Sequence, residues 1–141
     1  MNTVNPEPNT PGKVPRIHEA TIRVRYQETD AQGRVHHANY INYFEIGRVE
    51  MLRASGTTYR ELEQSGHMLV VTDLQCKYFL PAYFDDPLRL VTTIIQAKGV
   101  RIRHRYEIFR DKELLVVGET TVACIDPDGK PKRLPKWLRS K

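Results

Sequence analysis

The apolar residues of this chain change period twice, and that order limits the fold more than any other feature. Between residues 18 and 30, "HEATIRVRYQETD" alternates, with Ala20, Ile22 and Val24 on one face and Thr21, Arg23 and Arg25 on the other. A period of two describes a half-buried strand. From about Ala38 the spacing becomes helical: Ile41, Phe44, Arg48 and Leu52 recur at three and four residues, and few breakers intervene before Gly56. Tyr40, Ile41, Phe44, Gly47, Met51 and Leu52 make a broad apolar face. A mid-helix Gly47 costs about 1 kcal/mol against alanine, which a close approach to a packed surface would explain. A shorter helix follows in "TTYRELEQSG", where Thr58 and Glu61 have capping-box spacing and Gly66 supplies a stop. Strand patterns then return over residues 68–80, 86–99, 100–110 and 113–126, with "RDKE" as a tight hairpin between the last two.

Strand, long helix, short helix and four strands on short connections predict an α+β fold. Short connections suit antiparallel neighbours, since parallel strands need crossovers. The expected architecture is a meandering five-stranded antiparallel sheet wrapped around one long helix, which buries both apolar faces at once. A single such layer leaves surface to cover, so self-association is expected. The 141 residues fit one domain, long enough to bury about two-thirds of its unfolded surface. Four prolines and few apolar residues mark residues 1–16 as a flexible lead-in. The domain proper is expected over 17–127, with a basic C-terminal tail over 128–141 whose last few residues are expected to be solvated.

Composition narrows the class. Hydrophobic residues at 40% and charged residues at 28% describe a globular chain. No run approaches the ~18 apolar residues of a membrane span, so no membrane insertion is expected. The first residues lack the basic-then-apolar pattern of a signal peptide, which points to a cytoplasmic address. Cys76 and Cys124 lie far apart in apolar segments, as buried thiols would. A net charge of +5 suits a nucleic acid or a small ligand carrying several phosphates. No nucleic-acid motif or basic recognition helix accompanies it, so nucleic acid is not the expected partner.

The chemistry concentrates in residues 28–45, "ETDAQGRVHHANYINYFE". Asp30 ends the first strand in a turn that Gly33 permits. His36 and His37 fall where the long helix begins, and the first turn of a helix offers unpaired N–H groups and partial positive charge. Such groups hold a carbonyl oxygen as it gains negative charge, and a carboxylate folded back toward the same carbonyl completes the parts for acyl transfer. Taken alone, an Asp before a helix is more often a turn or cap residue. A metal site is not expected: adjacent histidines rarely converge on one ion, and His18, His67 and His104 show no ligand spacing with them. Ser55, Ser65 and Ser140 lack a nucleophile elbow, and no phosphate-binding glycine loop is present.

The stretch "YQETDAQGRVHHANYINYFEIGRVEML" resembles the signature of the hotdog-fold acyl-CoA thioesterases of the 4-hydroxybenzoyl-CoA thioesterase type, including the branch associated with the bacterial Tol–Pal system. The matching positions are Tyr26, Asp30, Gly33, His37, Asn39 and Tyr40, continuing through Phe44, Glu45 and Arg48. Tyr78, Pro81, Ala82 and Asp86 match the family's next strands, and the likeness spans roughly residues 18–126.

The resemblance implies hydrolysis of a short aliphatic or aromatic acyl-CoA to free acid and CoA. Asp30 corresponds to the catalytic carboxylate, as nucleophile through a mixed anhydride or as base toward water. The His37 backbone N–H corresponds to the group polarising the carbonyl, while its imidazole helps position the acyl group or water. Tyr26, Gly33, Asn39, Tyr40 and Glu45 would line or brace the substrate site. The resemblance calls for no cofactor or metal and implies a homo-oligomer, tetramer favoured over dimer, with the site between subunits. Arg101 and Arg103, on one side of a strand, then suit the phosphates of CoA, although a solvated sheet face is as common a reading. His36 departs from the family, where an aromatic residue is frequent. A hydratase or dehydratase on the same fold would pair Asp with a His five residues later, but position 35 is Val. A non-catalytic binding module is disfavoured by the desolvation cost of an unneeded carboxylate beside an acyl pocket.

Overall fold

A computed structural model describes residues 14–139, and both changes of period appear in it as changes of element. Strand β1 (Ile17–Arg23) leads through a 3-10 turn (Tyr26–Glu28) to helix α1 (Asn39–Arg53) and short helix α2 (Tyr59–Gln64). Strands β2 (Met68–Tyr78), β3 (Pro87–Lys98), β4 (Arg101–Arg110) and β5 (Glu113–Ile125) follow, then a 3-10 turn (Lys136–Leu138). All pairings are antiparallel, giving the expected five-stranded sheet with α1 across one face.

The sheet is not a simple meander. Its order is β1-β3-β4-β5-β2, so β2 pairs with β5 at one edge while β1 takes the place beside β3. Alternation fixes which face a strand buries, not which neighbour it takes. Short connections do join β3 to β4 and β4 to β5, where Lys98 pairs with Arg101 and Arg110 with Glu113 across two-residue loops. Gly99 and Asp111 adopt positive φ there, as such loops require.

On α1 the buried face differs from the expected one by a residue. Tyr40, Tyr43, Phe44, Gly47, Met51 and Leu52 are buried, whereas Ile41 is 38% exposed. Tyr43 completes the i, i+4, i+8 row with Gly47 and Met51, and Ile41 falls just outside it. Gly47 is where helix and sheet come closest: a Cβ there would collide with the Thr92 side chain and meet Leu90. Likewise the Phe44 ring occupies the space of a Cβ on Gly118 and stacks on Tyr106 at 4.4 Å. At α2 the cap is half of the expected box. Thr58 Oγ1 accepts the Glu61 N–H at 3.1 Å, but the Glu61 carboxylate takes the Thr57 hydroxyl instead.

The core has two halves. One gathers Val24, Val35, Tyr40, Phe44, Leu88, Tyr106 and Val116 around the first turns of α1. The other gathers Met51, Leu52, Leu62, Ile94, Ile102 and Val122 around its end. Between them the Arg48 guanidinium donates to the Tyr106 hydroxyl, which also bonds Thr120, with buried His104 alongside. The C-terminal segment is not simply a solvated tail. Leu134 and Leu138 are buried in the second half, with Trp137 packed against it, and the Leu134 N–H donates to the Gly99 carbonyl. Two leucines spaced by four, in a run dominated by its basic residues, supply apolar area that charge counting overlooks. The flexible lead-in expected over 1–16 lies mostly outside the described residues, but Val14 is buried in the second half and the Arg16 carbonyl accepts the Ile94 N–H.

Candidate active site

Asp30 sits in a tight turn that its own side chain organises. Its N–H donates to the Arg34 carbonyl at 2.7 Å and its carbonyl accepts the Gly33 N–H at 2.9 Å. Oδ1 accepts the N–H groups of Gln32 and Arg34 at 2.9 and 3.2 Å. Gly33 has φ +81°, a conformation that strains any residue with a Cβ. Among the described residues no donor reaches Oδ2, so one carboxylate oxygen holds the turn and the other is uncommitted. The turn is fixed to the segment after β2, since the Val35 N–H donates to the Ala82 carbonyl and Arg34 bridges Tyr83.

The chain then enters α1 at Asn39, within one residue of the expected start, which leaves both histidines just ahead of the helix. Ala38 is the N-cap and contributes no side-chain bond. His36 supplies the cap instead: its Nδ1 accepts the Ala38 N–H at 3.1 Å and its carbonyl accepts the Asn39 N–H at 2.9 Å. The His36 N–H is itself taken by the Glu28 carbonyl at 2.8 Å. The His37 N–H, between these, donates to nothing among the described residues. On the other side of the same residue, the His37 carbonyl accepts the Tyr78 hydroxyl at 2.9 Å.

These groups share a cavity of about 280 Å³. Asp30, Arg34 and His37 give it polar walls, and Tyr40, Tyr78 and residues 79–81 give it an aromatic and apolar one. Tyr40 is buried with its ring edge-on to Tyr78, and its phenol pKa is raised by that burial. Burial and the Cys76 thiol push the Tyr78 phenol up to about 12, so it remains a hydrogen-bond donor at neutral pH. A carboxylate oxygen, a free N–H and an apolar wall form the minimum equipment for attack on a carbonyl with stabilisation of its oxyanion.

The other residues singled out in the sequence lie elsewhere. Asn39 and Glu45 face a second cleft of about 540 Å³, shared with Arg25, Glu28 and Asn42. Tyr26 is 77% exposed, with its ring edge against Phe84. Arg101 and Arg103 are exposed on the sheet face away from α1, at the end of β4 opposite Arg110. Arg110 bonds the Pro81 carbonyl, so these arginines stand roughly 23–30 Å along the strand from the cavity's edge. Arg34 was not singled out in the sequence, and Tyr78 was matched to the family's strands without being placed at the site. Alternation in "LQCKY" puts Leu74, Cys76 and Tyr78 on one side, a signal that could have directed Tyr78 toward the helix. Among the described residues no three His, Cys, Asp or Glu side chains gather as metal ligands would, and no helix is long and apolar enough to cross a membrane.

The chain is similar to known proteins both in sequence and in fold. The family model of the Thioesterase-like superfamily matches residues 24–141. The acyl-CoA thioester hydrolase YbgC of Escherichia coli O6:H1 is 36% identical over 119 residues, covering 83% of this chain and 89% of that protein. A probable thioesterase from Bartonella henselae superposes with a TM-score of 0.80 at 34% identity, covering 84% of this chain and 99% of the other. The DHNA-CoA thioesterase of Staphylococcus aureus gives a TM-score of 0.80 at 32% identity, covering 84% and 80%.

Proposed function

The chain belongs to the thioesterase-like superfamily, a hotdog-fold thioester hydrolase, and from that premise we propose that it cleaves short aliphatic or aromatic acyl-CoA thioesters at the Asp30 cavity. The observation that carries this reading is one partly apolar cavity lined by both Asp30 and His37, where, among the described residues, Asp30 Oδ2 meets no donor and the His37 N–H no acceptor. The thioester carbonyl oxygen would accept the His37 N–H, which stabilises negative charge as it develops.

Two routes share this geometry. In one, Oδ2 attacks the carbonyl carbon, the C–S bond breaks, CoA leaves as thiolate, and water hydrolyses the mixed anhydride. In the other, Oδ2 takes a proton from water, whose oxygen attacks the carbon, and the thiolate leaving with the C–S electrons accepts that proton. Either needs only water as co-reactant, so the proposal includes no cofactor or metal. The His37 imidazole and the Tyr40 and Tyr78 rings then position the acyl group, and the Gly33 turn holds Asp30.

We further propose a homo-oligomer, a tetramer in preference to a dimer, working in the cytoplasm. β2 is an edge strand of 11 residues, exposed along most of its length, with Val70, Val71 and Leu74 open to solvent. Such an edge favours pairing with another copy. In that assembly Arg101, Arg103, Asn39, Tyr26 and Glu45 serve substrate bound partly by a neighbouring subunit, which reconciles their distance from Asp30 in their own chain.

The test is release of free CoA thiol from a panel of aliphatic and aromatic acyl-CoAs, with wild type and Asp30→Asn. Wild type should turn over at least one class, and Asp30→Asn should lose most turnover while remaining folded. Full activity in Asp30→Asn overturns the mechanism, and hydration of an enoyl-CoA without thiol release overturns the reaction.

A further inference from the structure

We propose that Glu28 is a positioning residue for the His37 N–H, a role that rests on the thioesterase reading of the Asp30 cavity. Glu28 is 7% exposed, an unusual position for a carboxylate. Its Oε1 accepts the Arg25 N–H at 2.7 Å and the Tyr43 hydroxyl at 2.9 Å. Its Oε2 receives the Arg25 guanidinium at 3.2 and 3.3 Å. Tyr43 is fully buried on α1, and burial followed by the Glu28 contact drives its phenol pKa upward, so it stays protonated and donating. The carboxylate therefore pins the Tyr26–Glu28 turn to the helix.

The backbone of the same residue reaches the site. The Glu28 carbonyl accepts the His36 N–H at 2.8 Å and the Asn39 side-chain amide at 2.8 Å. These two anchors stand immediately before and two residues after His37. They hold the peptide that carries the His37 N–H from both sides, and the first of them occupies the preceding amide, that of His36. Glu28 lines the second cleft and not the Asp30 cavity, so it does not touch the reacting atoms. Both of its carboxylate oxygens already accept donors, which makes it an anchor and not a second catalytic acid. A buried carboxylate is costly unless paired in this way, which gives the pairing its rigidity.

Thiol-release kinetics and amide NMR together test this. Glu28→Ala should lower kcat by about tenfold or more with KM within about twofold, because small displacements of a group acting on the transition state are felt in kcat. Glu28→Gln keeps an oxygen for Arg25 N–H and Tyr43 and should recover most of that loss. Tyr43→Phe should fall between them, and it decides the matter if Glu28→Ala does not fold. The His37 amide resonance should move in Glu28→Ala while resonances of β4 stay in place. Wild-type kcat in Glu28→Ala or in Tyr43→Phe, failure of Gln to restore activity, or an unmoved His37 amide overturns the proposal. Should wild type release no thiol, the thioesterase reading fails, and the His37 amide alone decides whether Glu28 positions it.

Discussion

Mild acid should weaken this fold through a single buried imidazole. His104 lies on β4 in the polar layer between the two core halves, 4% exposed, with no partner on Nδ1 among the described residues and its ring facing Tyr106. Burial, with a smaller contribution from the Arg48 cation, lowers its pKa from 6.5 to about 3. As pH falls through 6.5 the unfolded chain takes up a proton at this position, and the folded chain does not until pH nears 3. The unfolded state binds more protons throughout that window, so stability falls as pH falls. Between pH 7 and pH 5 the loss from this one group is about 2 kcal/mol, approaching roughly 4–5 kcal/mol by the bottom of the window. Urea denaturation at pH 7 and pH 5, with wild type and His104→Leu, isolates it. Other titrations and the packing cost of leucine appear at both pH values and cancel. Wild type should lose about 2 kcal/mol more than the variant over that interval. Parallel pH profiles would refute the reasoning.

Four further outcomes follow from contacts and burial. Gly118→Ala places a methyl group against the Phe44 ring and should destabilise by about 1–3 kcal/mol, seen as a lower Tm and an altered near-UV signal from the Phe44–Tyr106 stack. Tyr78→Phe removes the hydroxyl held by the His37 carbonyl, worth about 1 kcal/mol net, and should cut kcat several-fold. With that phenol pushed up to about 12, wild-type pH–rate data should show no Tyr78 break between pH 7 and 10. Leu134→Ala empties a fully buried position and should cost about 2–4 kcal/mol in urea titrations.

Much of this was legible in the sequence because local periodicity records which face each element buries. Arg101, Arg103 and Arg105 alternate with buried Ile102, His104 and Tyr106 as the pattern "RIRHRY" requires. Gly47, by its cost, left room for a close helix–sheet approach that the structure shows, and Asp30 and Gly33 marked the turn. What depends on long-range choice was not legible. Nothing local to β2 says that it crosses to β5, and nothing in a basic tail says that two leucines close the core. The candidate site divides in the same way. Asp30, His37 and Tyr40 are close in sequence and meet in one cavity, whereas Tyr78 arrives from 41 residues beyond His37, through its hydroxyl on the His37 carbonyl and its ring against Tyr40. Arg101 and Arg103 had only charge and period to recommend them, and those place a residue on a face without placing the face near the site.

The burial of Leu134 and Leu138 also sets the order in which the ribosome can deliver a finished molecule. The core half around Phe44, Tyr106 and Val116 has all its parts once residue 118 has emerged. The half around Met51, Ile94 and Ile102 lacks two of its buried leucines until residue 138 follows. At ordinary translation speeds those 20 residues take roughly one to four seconds. For that interval the nascent chain carries an assembled core around the start of α1 on an unsealed scaffold, and the open surface around Met51 and Ile102 is the one a chaperone would meet.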